Sequence, residues 1–135
     1  MKFKIKEDLT SDVMFEAYGK DLKEVFGNSA LALSSIICQV KKIKPIKKIE
    51  VKVKAKTTKE LMFSFLQKII ALVDLKEMFF SKFTINVTKT ELKAKLYGEE
   101  ITPEKGETVV KALTNYKFEF KKTKTGYKTT AVLDI

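Results

Sequence analysis

The chain has 135 residues, 44% of them hydrophobic, with ten Phe and four Tyr. At this length one domain buries around two-thirds of its extended surface, so disorder throughout is excluded. Basic residues number 27 against 17 acidic ones, a net charge of +10, and every base is lysine. There is no histidine and one cysteine, Cys38, which excludes histidine-dependent triads, an internal disulfide framework and a cysteine-rich zinc site.

Lysine is a point charge without the planar fork with which arginine reads base edges. The composition therefore argues against a sequence-specific nucleic-acid reader and reads first as a solvated lysine surface. The longest apolar run, Leu61 to Val73, is interrupted by Ser64, Gln67 and Lys68. It falls short of the roughly 20 apolar residues a membrane span needs. The start, Met1-Lys2-Phe3-Lys4-Ile5-Lys6-Glu7-Asp8, has no apolar stretch of the signal-peptide kind, and a cytoplasmic location is expected. No repeat, linker or low-complexity segment divides the chain, so residues 1–135 read as a single domain.

In chain order, short strands are expected at Lys2 to Lys6 and Asp12 to Tyr18. From Asp21 onward, Leu22, Val25, Phe26, Ser29, Leu33, Ile36, Ile37 and Val40 recur at helical spacing, and Asp21 with Glu24 makes an N-cap. Ile49, Val51, Val53 and Ala55 alternate with lysines and Glu50, the pattern of a half-buried strand. Thr57-Thr58-Lys59-Glu60 fits a capping box, and Leu61, Met62, Phe65, Leu66, Ile69, Ile70 and Val73 draw the apolar stripe of a second helix. Further strands follow through Phe83, Ile85 and Val87, then Leu92, Ala94 and Leu96. Val110, Ala112, Thr114, Tyr116, Phe118 and Phe120 read as one face of a long strand. Lys124-Thr125-Gly126 turns it into Tyr127, Thr129, Ala131 and Leu133. The order β-β-α-β-α-β-β-β-β predicts an α+β two-layer sandwich, a mostly antiparallel sheet with both helices packed on one face.

Little in the chain carries chemistry. Gly27-Asn28-Ser29 and Gly98 stand alone and make no phosphate-cradling loop. Cys38 sits in an apolar helical stretch, where cysteine is ordinarily inert. Carboxylates remain: Asp12 begins an apolar strand, Asp74 ends the second helix, and Asp134 precedes Ile135. If the terminal strands converge, Asp12, Asp134 and the carboxylate of Ile135 form a pocket of hard oxygen donors, suited to Ca²⁺, Mg²⁺ or Mn²⁺. The lysine face of the strand at 48 to 56 offers a nucleic-acid surface, but the segment has no interleaved aromatics for stacking bases.

Leu9-Thr10-Ser11-Asp12-Val13 resembles the His-Thr-Ala-Asp-Val opening of the archease family. The similarity continues through Ala17-Tyr18-Gly19 and Leu22, Glu24, Phe26, Ala30, Ala32 and Leu33. It extends to the helix from Leu61 to Asp74, to Val110-Lys111-Ala112-Leu113-Thr114, and to the closing Leu133-Asp134-Ile135. The resemblance implies a non-catalytic partner of the RtcB-type tRNA-splicing ligase, one that promotes ligase guanylylation and multiple turnover and meets tRNA indirectly through the ligase. It also implies a metal site, usually of calcium, at Asp12, Asp134 and Ile135, and makes Asp74 a recurrent acidic position without an assigned role. Two positions depart from the family: Leu9 replaces a histidine, and Asn115-Tyr116 stands where a Tyr-His pair is common. The competing readings are a lysine-rich nucleic-acid-binding module that does not act on a ligase, and a small metal-dependent hydrolase built on the carboxylates.

Overall fold

The computed structural model describes residues 2–7 and 11–135. Seven strands and two helices follow one another as β1 (Phe3–Glu7), β2 (Asp12–Gly19), α1 (Leu22–Ile37), β3 (Lys47–Lys54), α2 (Thr58–Lys76), β4 (Met78–Val87), β5 (Glu91–Glu100), β6 (Ala112–Thr123) and β7 (Gly126–Asp134). Short 3-10 turns at Val40–Lys42 and Pro103–Lys105 complete the connections. The element order and the α+β class agree with the sequence pattern. The strands, however, divide into two antiparallel sheets where one was expected: β1-β2-β7-β6 and β3-β5-β4.

Both helices start as their caps dictate. Asp21 Oδ1 accepts the Glu24 N–H at 2.9 Å, and Glu24 Oε1 accepts the Lys20 N–H at 3.1 Å. Thr57 Oγ1 accepts the Glu60 N–H at 3.2 Å. The Glu24 and Glu60 bonds satisfy donors that the first helical turn leaves without partners, and the Lys20 bond ties the preceding residue to the same turn. Helix α1 ends at Ile37, short of Val40, which begins a 3-10 turn instead. Helix α2 runs on to Lys76 and closes on Glu77 in the left-handed conformation (φ 52°).

The apolar faces of both sheets and both helices share one core. Phe26 of α1 lies 6.1 Å, ring centre to ring centre, from both Phe65 of α2 and Phe120 of β6. One buried polar contact crosses that core: Ser29 Oγ is 2.7 Å from the Val25 carbonyl and 3.0 Å from Thr129 Oγ1, which ties α1 to β7. The hairpin between β6 and β7 requires glycine at 126, where φ is +153° and a Cβ would collide with the Gly19 carbonyl.

Strand β6 departs from simple alternation. Its register with β7 slips between Thr114 and Glu119, so that five steps along β6 answer two along β7. Lys117 takes a left-handed conformation (φ 57°) inside this bulge. Leu113 and Phe118 therefore point into the core while Tyr116 is exposed. The expected single face from Val110 to Phe120 is broken there.

Candidate metal centre

Strand β2 begins at Asp12 and β7 ends at Asp134, and the antiparallel register places these two residues directly opposite each other. Every other residue then shares their face, away from the helices: Met14, Glu16 and Tyr18 on β2 oppose Val132, Thr130 and Lys128 on β7. Directly opposed side chains have Cβ atoms about 5 Å apart, close enough for two carboxylates to share one cation. The main chain at this point is fixed from both sides. The Lys111 N–H donates to the Asp134 carbonyl at 2.8 Å, and the Ile135 N–H donates to the Ser11 carbonyl at 3.0 Å. Asp12 and Ile135 are half-buried and Asp134 is exposed.

Two like charges held opposite one another destabilise a sheet unless a cation intervenes. None of the ion pairs among the described residues includes Asp12 or Asp134. Nor do three or more His, Cys, Asp or Glu side chains gather at metal-holding distance among the described residues. What the register brings together is two carboxylates, with Ile135 beside them. Their chemistry fits a hard cation that takes its remaining oxygens from water.

Asp74 is exposed at the end of α2. It lines a largely apolar cavity of about 390 Å³ with Ile37, Ile70, Phe79, Ile101 and Val109. Leu9 lies outside the described residues. Tyr116 sits exposed on the β6 bulge, with the Lys117 ammonium 5.2 Å from its ring centre. Cys38 is buried, and burial, reinforced by the charge of Glu107, pushes its thiol up to about 12, so it is no thiolate at neutral pH.

Sequence reasoning missed Glu16, the next carboxylate along the face of Asp12, beyond Met14. Lys128 Nζ lies 2.8 Å and Lys6 Nζ 3.4 Å from its oxygens, and the Tyr18 hydroxyl donates to it at 3.2 Å. The hydrogen bond from Lys128 is the largest influence. With the smaller contribution of Lys6 it outweighs burial and holds the Glu16 carboxyl at about 2. The same contact raises Lys128. Period-two alternation in β2 places Glu16 on this face, but its cationic partners come from β1 and β7 and cannot be read locally. A depressed carboxyl stabilises the fold fully above its ordinary range, and that contribution disappears as pH falls from about 4.3 towards 2. Glu16→Gln is expected to lose about 1–2 kcal/mol at pH 7, after allowance for solvent screening, and nothing near pH 2. Urea unfolding of both proteins across that range checks this; a deficit independent of pH would contradict it.

The model of the Archease protein family matches residues 3–135. The chain belongs to the archease family. It is 33% identical over 130 residues to the archease of Sulfurisphaera tokodaii, covering 93% of this chain and 94% of that one. To the archease of Pyrococcus abyssi it is 34% identical over 119 residues, 84% of each. The solution structure of protein 1598 of Methanobacterium thermoautotrophicum superposes with a TM-score of 0.79 at 26% identity, over 98% of both chains. A Thermotoga maritima crystal structure, described as an archease and possible chaperone, shares the fold with a TM-score of 0.70 at 21% identity, over 96% and 95% of the two chains. No helix among the described residues is long and apolar enough to cross a membrane.

Proposed function

We propose that this archease is a non-catalytic activator of the RtcB-type tRNA-splicing ligase, promoting its guanylylation and multiple turnover, with a divalent cation held at Asp12, Asp134 and Ile135. The observation that carries the site is the direct cross-strand opposition of Asp12 and Asp134, residues 122 positions apart in sequence. Calcium suits the donor set best, because it accepts irregular oxygen coordination completed by water; Mg²⁺ and Mn²⁺ are the alternatives.

Family membership and the poverty of catalytic groups support an accessory role. The sequence has no histidine, and its one thiol is buried and protonated. An activator of this kind works by binding one state of its partner more tightly than another, and about 1–3 kcal/mol of such coupling is typical. The cation would neutralise the two opposed carboxylates on main chain already held by the Ile135–Ser11 and Lys111–Asp134 hydrogen bonds, presenting a preorganised edge to the ligase. In this role tRNA is met indirectly, through the ligase docked at this edge.

The test is multiple-turnover joining of tRNA halves by the cognate ligase with no addition, wild-type protein, or folded Asp12→Ala. Stimulation by the wild type and its loss in the variant is expected. A folded wild type that leaves turnover unchanged would sink the proposal.

A further inference from the structure

The outer face of the second sheet has no part in the site above. On β3, Lys48, Glu50, Lys52 and Lys54 point away from the core, and β5 sets Tyr97, Lys95, Lys93 and Glu91 opposite them in that order. On the other side of β5, Lys82, Thr84 and Asn86 of β4 oppose Tyr97, Lys95 and Lys93. Strand β3 and the β4-β5 hairpin thus assemble a surface with six lysines and two glutamates. Both glutamates make loose, exposed ion pairs at 3.7 Å: Glu50, opposite Lys95, with Lys48, and Glu91, at the end of the face, with Lys54. Lys52, Lys93 and Lys95 enter none of the ion pairs among the described residues. Lys52 and Lys93 face each other directly across the ladder, a like-charge opposition that an anion would relieve.

The middle of this face is concave. A trough of about 400 Å³ runs over it, lined by Lys52, Lys93, Lys95, Thr84 and Asn86, with the Glu50 carboxylate at one margin opposite Lys95. Next along β5 stands Tyr97, half-buried, with the Lys82 ammonium 5.2 Å from its ring centre. The strand at 48 to 56 has no aromatic of its own; its neighbour in the sheet supplies one. Cations spaced along a groove, a ring at one end, and a hydroxyl and an amide along its β4 side are the parts of a single-strand platform. Lysines meet successive phosphates, a base stacks on the ring, and neutral groups hydrogen-bond sugar or base edges without fixing a sequence.

We propose that the outer face of β3-β5-β4 binds an unpaired nucleic-acid strand, its backbone on Lys52, Lys93 and Lys95 and one base on Tyr97. The assignment does not depend on the ligase reading, because the surface lies on the other sheet and its test contains no ligase.

The probe is a fluorescein-labelled 12-nucleotide oligouridine titrated with the full chain and read by anisotropy. Three phosphates neutralised on a single strand give a slope of about −2 in log K against log salt, or about 20-fold weaker binding for a fourfold rise in salt. Replacing Lys52, Lys93 and Lys95 together with Gln is expected to abolish that salt dependence. The charge-matched triple replacement of Lys41, Lys42 and Lys76 with Gln should leave it in place. Tyr97→Ala should weaken binding about tenfold. Amide shifts in the wild-type protein on adding the oligonucleotide are expected on β3, β5 and β4, which keeps the test valid if a variant fails to fold. Equal losses in the two triple variants, tighter binding of a 12-base-pair duplex, or shifts confined to β1-β2-β7-β6 would each overturn the proposal.

Discussion

Phe26→Ala is expected to cost about 3–5 kcal/mol of folding stability, the range for truncating a fully buried aromatic. A domain of this size has about 5–15 kcal/mol in total, so the variant should unfold at a much lower urea concentration and be partly unfolded at physiological temperature. The size of the effect follows from where the ring sits. Phe26 is fully buried and touches the two helices and the first sheet together through Phe65 and Phe120, and Phe120 in turn stacks on Tyr127 at 5.6 Å. Removing it opens a hole bounded by elements that cannot all close in at once. Phe63, half-buried and edge-on to Phe118 at 5.1 Å, is the internal comparison. Its truncation should cost about a third as much, since part of its surface already meets water. Urea denaturation of both variants decides the matter; a loss below about 1 kcal/mol for Phe26→Ala would mean that this junction does not hold the two helices on the first sheet.

The second large effect is a reversal of sign at the opposed carboxylates. With a chelator present, Asp134→Asn should be as stable as the wild type or up to about 0.5 kcal/mol more so, because it removes a like-charge opposition. With Ca²⁺ at 100 times its dissociation constant the wild type should gain about 2.7 kcal/mol and the variant very little. The two melting curves therefore exchange order on adding cation. This measurement needs no ligase and separates the metal site from activation. A wild-type melting temperature that does not move with Ca²⁺, Mg²⁺ or Mn²⁺ would remove the cation from the mechanism while leaving the activation assay to be judged separately.

Much of the fold was legible because its signals are local. Asp21 and Thr57 cap their helices as their spacing to Glu24 and Glu60 predicts. The alternation through Ile49, Val51 and Val53 places β3 with its lysines outward. What escaped was non-local. Nothing near Asp12 announces that its strand will pair with β7, and the convergence of Asp12 with Asp134 entered the sequence reading as a condition. The division into two sheets depends on which strands meet, and alternation within a strand is silent on that. The β6 bulge escaped for a different reason. Tyr116 continues the alternating pattern perfectly on paper, and only Lys117 in a left-handed conformation, a state with no distinctive residue signature here, shifts the phase. Tyr97 was likewise invisible beside the β3 lysines, since the two are neighbours only through the ladder.

The pairing of β2 with β7 also governs how the chain reaches this structure. Its rungs join residues from Asp12–Asp134 to Gly19–Tyr127, and β7 lies inside its sheet between β2 and β6. Closing a loop of that length costs about 4 kcal/mol of chain entropy before any contact repays it. The β3-β5-β4 sheet, whose central hairpin joins Met78–Val87 to Glu91–Glu100, asks far less. Folding should therefore be paced by the capture of β7, in milliseconds to seconds as for other sheets dominated by distant pairings. Until then the inner face of β2, with Phe15 at its centre, waits for its neighbour with that side uncovered.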